Sequence, residues 1–434
     1  MPEPIENSQT WSAHQTWPAH QGWRKDGRQT IRDLCDVNAL WGWWLGLIPL
    51  LSFSVTPPRG FIGQLGTVDT RTETTESLGV TVAAVGLGAL PAAMTVFRRY
   101  VAADLVIRPA VLFLWILTLI STSFLYEIRP KDFGVLAIGV YVMGLVCVLT
   151  SQQEDTEDIV RKVFTALAVF QSLVMIVALA DANYVVGRFQ GRIGPNYWGS
   201  TAASTLLVSY AIRSLPVRAV VMGICAFMLI VSQNRSGMIA AMAGSAMVAL
   251  LYWLRATGRQ RLKMAIWGAL AFAAVLAASP VVYSRLLLLD NARRGLASNG
   301  TGRFAAWGEA LHIINEHPLM GVGYRHHEQF ITAASSAHNA YLAVMADMGV
   351  PGLLTYLVFL FGSMGVAMAA AMQLRQWSYA VLAGVLFGYA AVNFLETRGI
   401  NFANSVSLCV LCSVGLILRA NPPRLALYRA GGVA

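Results

Sequence analysis

Charge is scarce in this sequence. Lys, Arg, Asp and Glu supply 12% of its 434 residues, about half the share found in a soluble domain. Too little polar surface remains to clothe a soluble protein of this length. Apolar residues make up 56%, which suits a chain whose outer face meets lipid. Cysteine is also sparse. Of Cys35, Cys147, Cys225, Cys409 and Cys412, all but Cys35 fall inside apolar runs, and none has metal-ligand spacing with His. They read as small apolar fillers. A leader with a charged start and an apolar middle is missing as well. Residues 1–37 are polar and are expected to form a short cytoplasmic tail, either disordered or with Trp11, Trp17 and Trp23 at the headgroup layer.

Two further scarcities narrow the function. Few ionisable groups fall within the apolar runs, whereas ion-coupled transporters bind their ion near the midplane. Asp347 and Glu396 stand near run ends, where they can be satisfied. Carboxylate clusters are as rare. Glu154 to Asp158 holds four carboxylates, but it is followed by Arg161 and Lys162 and reads as a solvated acidic loop. No metal site and no cofactor are expected.

What is present is a series of apolar runs near the ~20 residues of a spanning helix. They cover residues 38–55, 78–97, 110–125, 133–150, 160–180, 198–212, 217–232, 238–254, 264–282, 352–372, 377–394 and 404–418. The fold class expected is an all-α polytopic membrane protein of about twelve transmembrane helices. With the N-terminus inside, the larger share of the 32 Lys and Arg residues falls on the cytoplasmic side. Both termini are therefore expected in the cytoplasm. Topology and anionic headgroups account for the net charge of +10, so membrane lipids are expected as partners and nucleic acid is not.

The chain then divides into a tail (1–37), nine helices (38–283), a long outer loop (284–337), a re-entry with three helices (338–418) and a second tail (419–434). Loops as long as 284–337 are uncommon without a function. It opens on Arg285, Arg293 and Arg294. Arg303 to Glu316 reads as an amphipathic helix with Phe304, Trp307, Leu311 and Ile314 on one face. Pro318 ends it, and Gly321 and Gly323 make a turn. This helix is expected to roof the membrane domain.

Three outer segments concentrate chemistry. The first, VGRFQGRIGPNYWGS over 186–200, carries Arg188, Arg192 and Asn196 in a turn that leads into a helix N-terminus. Such an end favours anions, and arginine forks onto phosphate oxygens where lysine does not. The second, Gln233-Asn234-Arg235-Ser236-Gly237, is a tight hairpin that holds Arg235 at the membrane face. The third, Ser335-Ser336-Ala337-His338-Asn339, places His338 where the chain re-enters the membrane. An imidazole there can take or give a proton near neutral pH.

Together these segments resemble the O-antigen ligases and O-antigen polymerases. The resemblance runs over about residues 185–365. It is carried by Arg192 to Gly199, by Asn234 to Gly237, by Gly302, Arg303 and Trp307 through Gly321 and Gly323, and by His338, Asn339, Leu342, Gly349 and Gly352. It implies a GT-C-like membrane glycosyltransferase in the inner membrane of a Gram-negative bacterium, with a periplasmic active site in a long periplasmic loop region. The implied donor is an O-antigen glycan on undecaprenyl pyrophosphate, and the implied acceptor is lipid A–core. On this view His338 is the base and Arg192 and Arg235 hold the pyrophosphate. Arg188, Arg303, Asn196 and Asn339 contact substrate, while Trp307, Gly321 and Gly323 are structural. Ligase, polymerase and protein O-oligosaccharyltransferase remain open, as does a lipid-linked glycan flippase. The short segment from Arg419 to Ala434 favours the ligase over protein transferases, which often carry an extra outer domain.

Overall fold

The computed structural model describes residues 27–55, 82–98, 103–124, 130–180, 184–185, 188–189, 194–277, 302–334, 336–397, 401–402 and 404–419. Arg192, the tail tryptophans, the arginines at 285, 293 and 294, and most of the final tail lie outside the described residues. Helices α1 (Gly27–Leu34), α2 (Ala39–Val55), α3 (Ala89–Arg98), α4 (Ala103–Ser123), α5 (Pro130–Thr150) and α6 (Thr156–Ala180) come first. A two-stranded antiparallel pair follows, β1 (Tyr184–Val185) with β2 (Arg188–Phe189). Then come α7 (Pro195–Val208), α8 (Leu215–Ser232), α9 (Arg235–Arg255), α10 (Gly258–Ala277) and α11 (Arg303–Glu316). The chain continues through α12 (Ala340–Leu357), a π-turn at Val358–Gly362, α13 (Ser363–Gln373), α14 (Trp377–Asn393) and α15 (Ser405–Leu418).

Each apolar run of the sequence holds a helix. Six helical stretches among the described residues are long and apolar enough to cross a membrane, or seven if α1 and α2, bent by 75°, form one span. The protein is thus a polytopic α-helical membrane protein. Of the twelve expected spans, stretches such as Val82–Phe97, Trp377–Asn393 and Ser405–Leu418 are apolar helices shorter than the ~20 residues a bilayer asks for.

Large apolar side chains point outward, with Phe97 86% and Trp267 71% exposed, while polar ones pair inside. Thr205 donates to Gln171 at 2.6 Å and Asn393 to Tyr356 at 2.6 Å. Helices α9 and α14 cross where Gly244, Gly384 and Gly388 leave room for backbone to meet backbone. Small residues serve this purpose when lipid offers no hydrophobic drive to associate.

One end of the bundle is organised by a break in α12. Gly349 has φ 65°, and Pro351 cannot donate to the carbonyl four residues back. The freed carbonyls of Ala346 and Asp347 instead accept from Val322 N and Gly323 N, both at 2.9 Å, and Val350 N turns to Pro318 O at 2.8 Å. A Cβ on Gly321 would lie 2.2 Å from the Asp347 backbone. The Gly321–Gly323 turn is therefore strapped to α12.

Two expectations need correction. Helix α11 spans the expected residues, but Phe304 and Leu311 are exposed and the packed face is Ala306, Ala310, Ile313 and Ile314. Alanines let α11 approach α12 closely, which the bulkier stripe would prevent. The acidic run Glu154 to Asp158 is only partly a solvated loop: Asp155 is exposed, but Thr156 to Asp158 open α6 and Glu154 is tied down. Asn38 bonds Glu154, Lys162 pairs with Asp36 and Glu154, and Arg419 donates to the carbonyls of Gln152 and Glu154. Arg161 also reaches buried Asp33 of α1 at 3.1 Å. The fold-back of α1 onto α6 brings in Asp33, Asp36 and Asn38, and the end of α15 brings in Arg419.

Candidate active site

The first two chemical segments meet through close packing. Gly194 (φ 109°) turns the chain and Pro195 opens α7, where a missing N–H costs nothing. One turn on, a Cβ at Gly199 would lie 2.2 Å from the Asn234 side chain, and one at Gly237 would lie 2.6 Å from Gly199 O. Only glycines let the hairpin seat on α7. Asn234 then donates to Asn196 O at 2.8 Å. Its Oδ1 caps α9 by accepting from Gly237 N at 2.9 Å, which leaves Arg235 half-buried at the first position of α9.

The hairpin continues into the third segment through a carboxylate. Ser236 Oγ lies 2.7 Å from Asn234 Oδ1 and 2.9 Å from Glu396 Oε1. The same Glu396 oxygen accepts from Arg303 Nη2 at 3.4 Å. Arg303 opens α11 after Gly302 (φ 83°). Glu396 follows the end of α14 and is 7% exposed, so its charge is compensated by this pair and hydroxyl.

His338 completes the group. Ser336, His338, Glu396, Thr397, Asn401, Asn404 and Ser407 line a cavity of about 160 Å³. The His338 backbone is left-handed (φ 45°). Ser336 Oγ accepts from His338 N at 3.4 Å and bonds Thr397 Oγ1 at 2.9 Å. Burial lowers the proton affinity of the imidazole, Glu396 raises it and Arg303 lowers it, leaving it below the ordinary histidine value. A neutral ring, ready to accept a proton, prevails at neutral pH.

Of the residues singled out from sequence, His338, Arg303 and Arg235 thus belong to one assembly. Asn196 joins it through its carbonyl, its side chain being exposed. Asn339 uses its oxygen to cap α12 at Tyr341 N and Leu342 N (3.0 and 3.2 Å), so that atom is committed to structure. Arg188 opens β2, and Arg192 lies outside the described residues. Sequence reasoning missed Glu396. It set that residue aside as a satisfied helix-end carboxylate, and nothing local pairs it with Arg303, 93 positions away. Among the described residues no three His, Cys, Asp or Glu side chains gather as a metal site.

Residues 220–357 match the family model of the O-antigen ligases. The matched segment takes in the hairpin with Arg235, helix α11 with Arg303, and the His338 re-entry. It makes this part of the chain similar to ligase and polymerase-type glycosyltransferases. Arg188, Arg192, Asn196 and Glu396 lie outside it. No curated protein matches the chain.

Proposed function

We propose that this protein is an O-antigen ligase, which transfers a glycan from undecaprenyl pyrophosphate to a sugar hydroxyl of lipid A–core. The observation that carries this reading is that His338 and Glu396 line one cavity, with Arg303 paired to Glu396 and the hairpin of Arg235 joined to it through Ser236. The site would face the periplasm of a Gram-negative inner membrane. Helices beyond the six or seven long spans would complete a GT-C-like bundle of about twelve crossings.

In this mechanism the acceptor hydroxyl oxygen attacks the anomeric carbon as the bond to the pyrophosphate oxygen breaks. The leaving group departs with the electron pair, and His338 takes the hydroxyl proton. The anomeric centre inverts. Charge that grows on the phosphate oxygens would meet Arg235 and Arg192, with Arg188 and Arg303 as helpers. Each fixed donor is worth a few kcal/mol, roughly 3, at the transition state. Glu396 steadies the imidazolium that forms on His338. The side chains supply base and cations without a metal ion.

The test mixes purified protein, undecaprenyl-pyrophosphate glycan and lipid A–core in EDTA. Wild type should shift lipid A–core on a gel and His338→Ala should not. Arg192→Lys keeps the charge but loses the fork, and its activity should fall well below wild type. A fully active Lys variant would rule out bidentate phosphate binding. If a second carrier-linked glycan is extended and lipid A–core is not, the protein is a polymerase.

A further inference from the structure

The segment Tyr324-Arg325-His326-His327-Glu328 lies beside the site and has no part in the mechanism above. Its two histidines are both buried but differently served. His326 has both ring nitrogens engaged, Nδ1 with Val322 O at 3.1 Å and Nε2 with Asp132 Oδ1 at 3.2 Å. His327, 1% exposed, has Nδ1 on Asp347 Oδ1 at 2.7 Å, and its Nε2 has no protein partner. Buried polar atoms are nearly always paired, so one left open calls for an occupant.

Asp347 fixes the ring. Its Oδ1 also accepts from His327 N at 3.1 Å, and its Oδ2 from Arg325 N at 2.8 Å. Burial works against a proton on His327, but Asp347 outweighs it and the proton affinity is raised. With Nδ1 committed, the ring can offer only Nε2. His327 lines a cavity of about 60 Å³ with Tyr324, Arg325, Glu328, Thr397 and Asn401, among others. Thr397 and Asn401 line the His338 cavity too, so the two adjoin.

We infer that His327 is an acceptor-binding residue, its Nε2 meeting a hydroxyl of the sugar that receives the glycan. This rests on the glycosyl-transfer reading given above. The size of the cavity suits the hydroxyl edge of a sugar. Its charge suits a neutral group better than a phosphate, since the Arg325 guanidinium is held by Glu328 at 3.1 and 3.4 Å. Arg303 reaches the His338 cavity by way of Glu396 instead.

Two variants separate binding from scaffolding. His327→Asn keeps an amide donor for Asp347 and deletes the group at Nε2. His327→Gln extends an amide towards the Nε2 position. The Asn variant should raise the KM for lipid A–core about tenfold, the loss of one hydrogen bond to a charged or polarised group. Its kcat, donor KM and melting temperature should stay close to wild type, and Gln should recover most of the acceptor KM. An unchanged acceptor KM in the Asn variant overturns the inference and leaves the ligase reading intact. So do donor and acceptor KM rising together as the melting temperature falls, because His327 would then only tie the loop to α12. If wild type glycosylates a second carrier-linked glycan and not lipid A–core, the ligase reading fails. The same Asn–Gln split in the KM for that sugar then decides His327. If wild type transfers to neither acceptor, both ideas fall.

Discussion

His338 holds a left-handed backbone, a conformation that side chains with a Cβ adopt at a cost of about 1–3 kcal/mol. The cost is met because Ser336 and the cap of α12 fix the chain on both sides. The ring then sits in a field set by two opposed charges. As a base it acts when neutral, so the acid limb of kcat/KM should lie below the ordinary imidazole value of about 6.5. Glu396→Gln removes the charge that favours the imidazolium and should move that limb to lower pH. Arg303→Gln removes the charge that opposes it and should move the limb to higher pH. Rate profiles of the two variants decide this, and shifts of the same sign would mean that the pair does not tune His338. Glu396 shows how a residue becomes functional through its neighbours. In the sequence it is one carboxylate beside an apolar run. In the fold it links Ser236 of one segment to Arg303 of another.

Helices reach this site through close approach more than through large apolar contacts. Gly199→Ala would press a methyl into Asn234, so the hairpin must move off α7. Thermal unfolding in detergent should show a loss of about 1–3 kcal/mol, and transfer should fall further than stability, because Arg235 moves with the hairpin. A variant that transfers normally would separate the hairpin from the chemistry. Helix α11 offers a contrast between its faces. Ala310 is fully buried against α12, while Phe304 is exposed. Ala310→Leu should cost about 1–3 kcal/mol by overpacking, whereas Phe304→Ser should leave the melting temperature nearly unchanged. The reverse result would restore the face expected from periodicity. Periodicity located this helix to the residue but named the packed face only in part, since Ile314 is buried while Phe304 and Leu311 are exposed. A stripe of Phe, Trp and Leu reads as core in water, whereas beside a membrane the small residues pack and the large ones face out.

Across the whole molecule the expected orientation makes a prediction of its own. Cys35 is exposed near α1, and His312 is exposed on α11. A membrane-impermeant maleimide should label a cysteine placed at His312 in intact spheroplasts, and should label Cys35 only after lysis. Labelling of Cys35 in intact spheroplasts would invert the topology and place the candidate site in the cytoplasm. The acidic run before α6 would then be outside, with its partners Lys162, Asn38 and Arg419.

The sequence by itself determined the material of this protein. Long apolar runs with few charges make helices in lipid, because the backbone must bond within each segment there. Short-range order also sufficed for the glycine and proline turns and for α11, and it marked the arginine and histidine segments as candidates. Tertiary structure decided what those segments do together. Glu396 joins Arg303 and Ser236, His327 keeps one nitrogen open beside a second cavity, and α12 breaks to receive the Gly321 turn. These are contacts between residues tens to hundreds of positions apart. No periodicity encodes such pairings, since they depend on which helices pack and on how closely small residues let them meet.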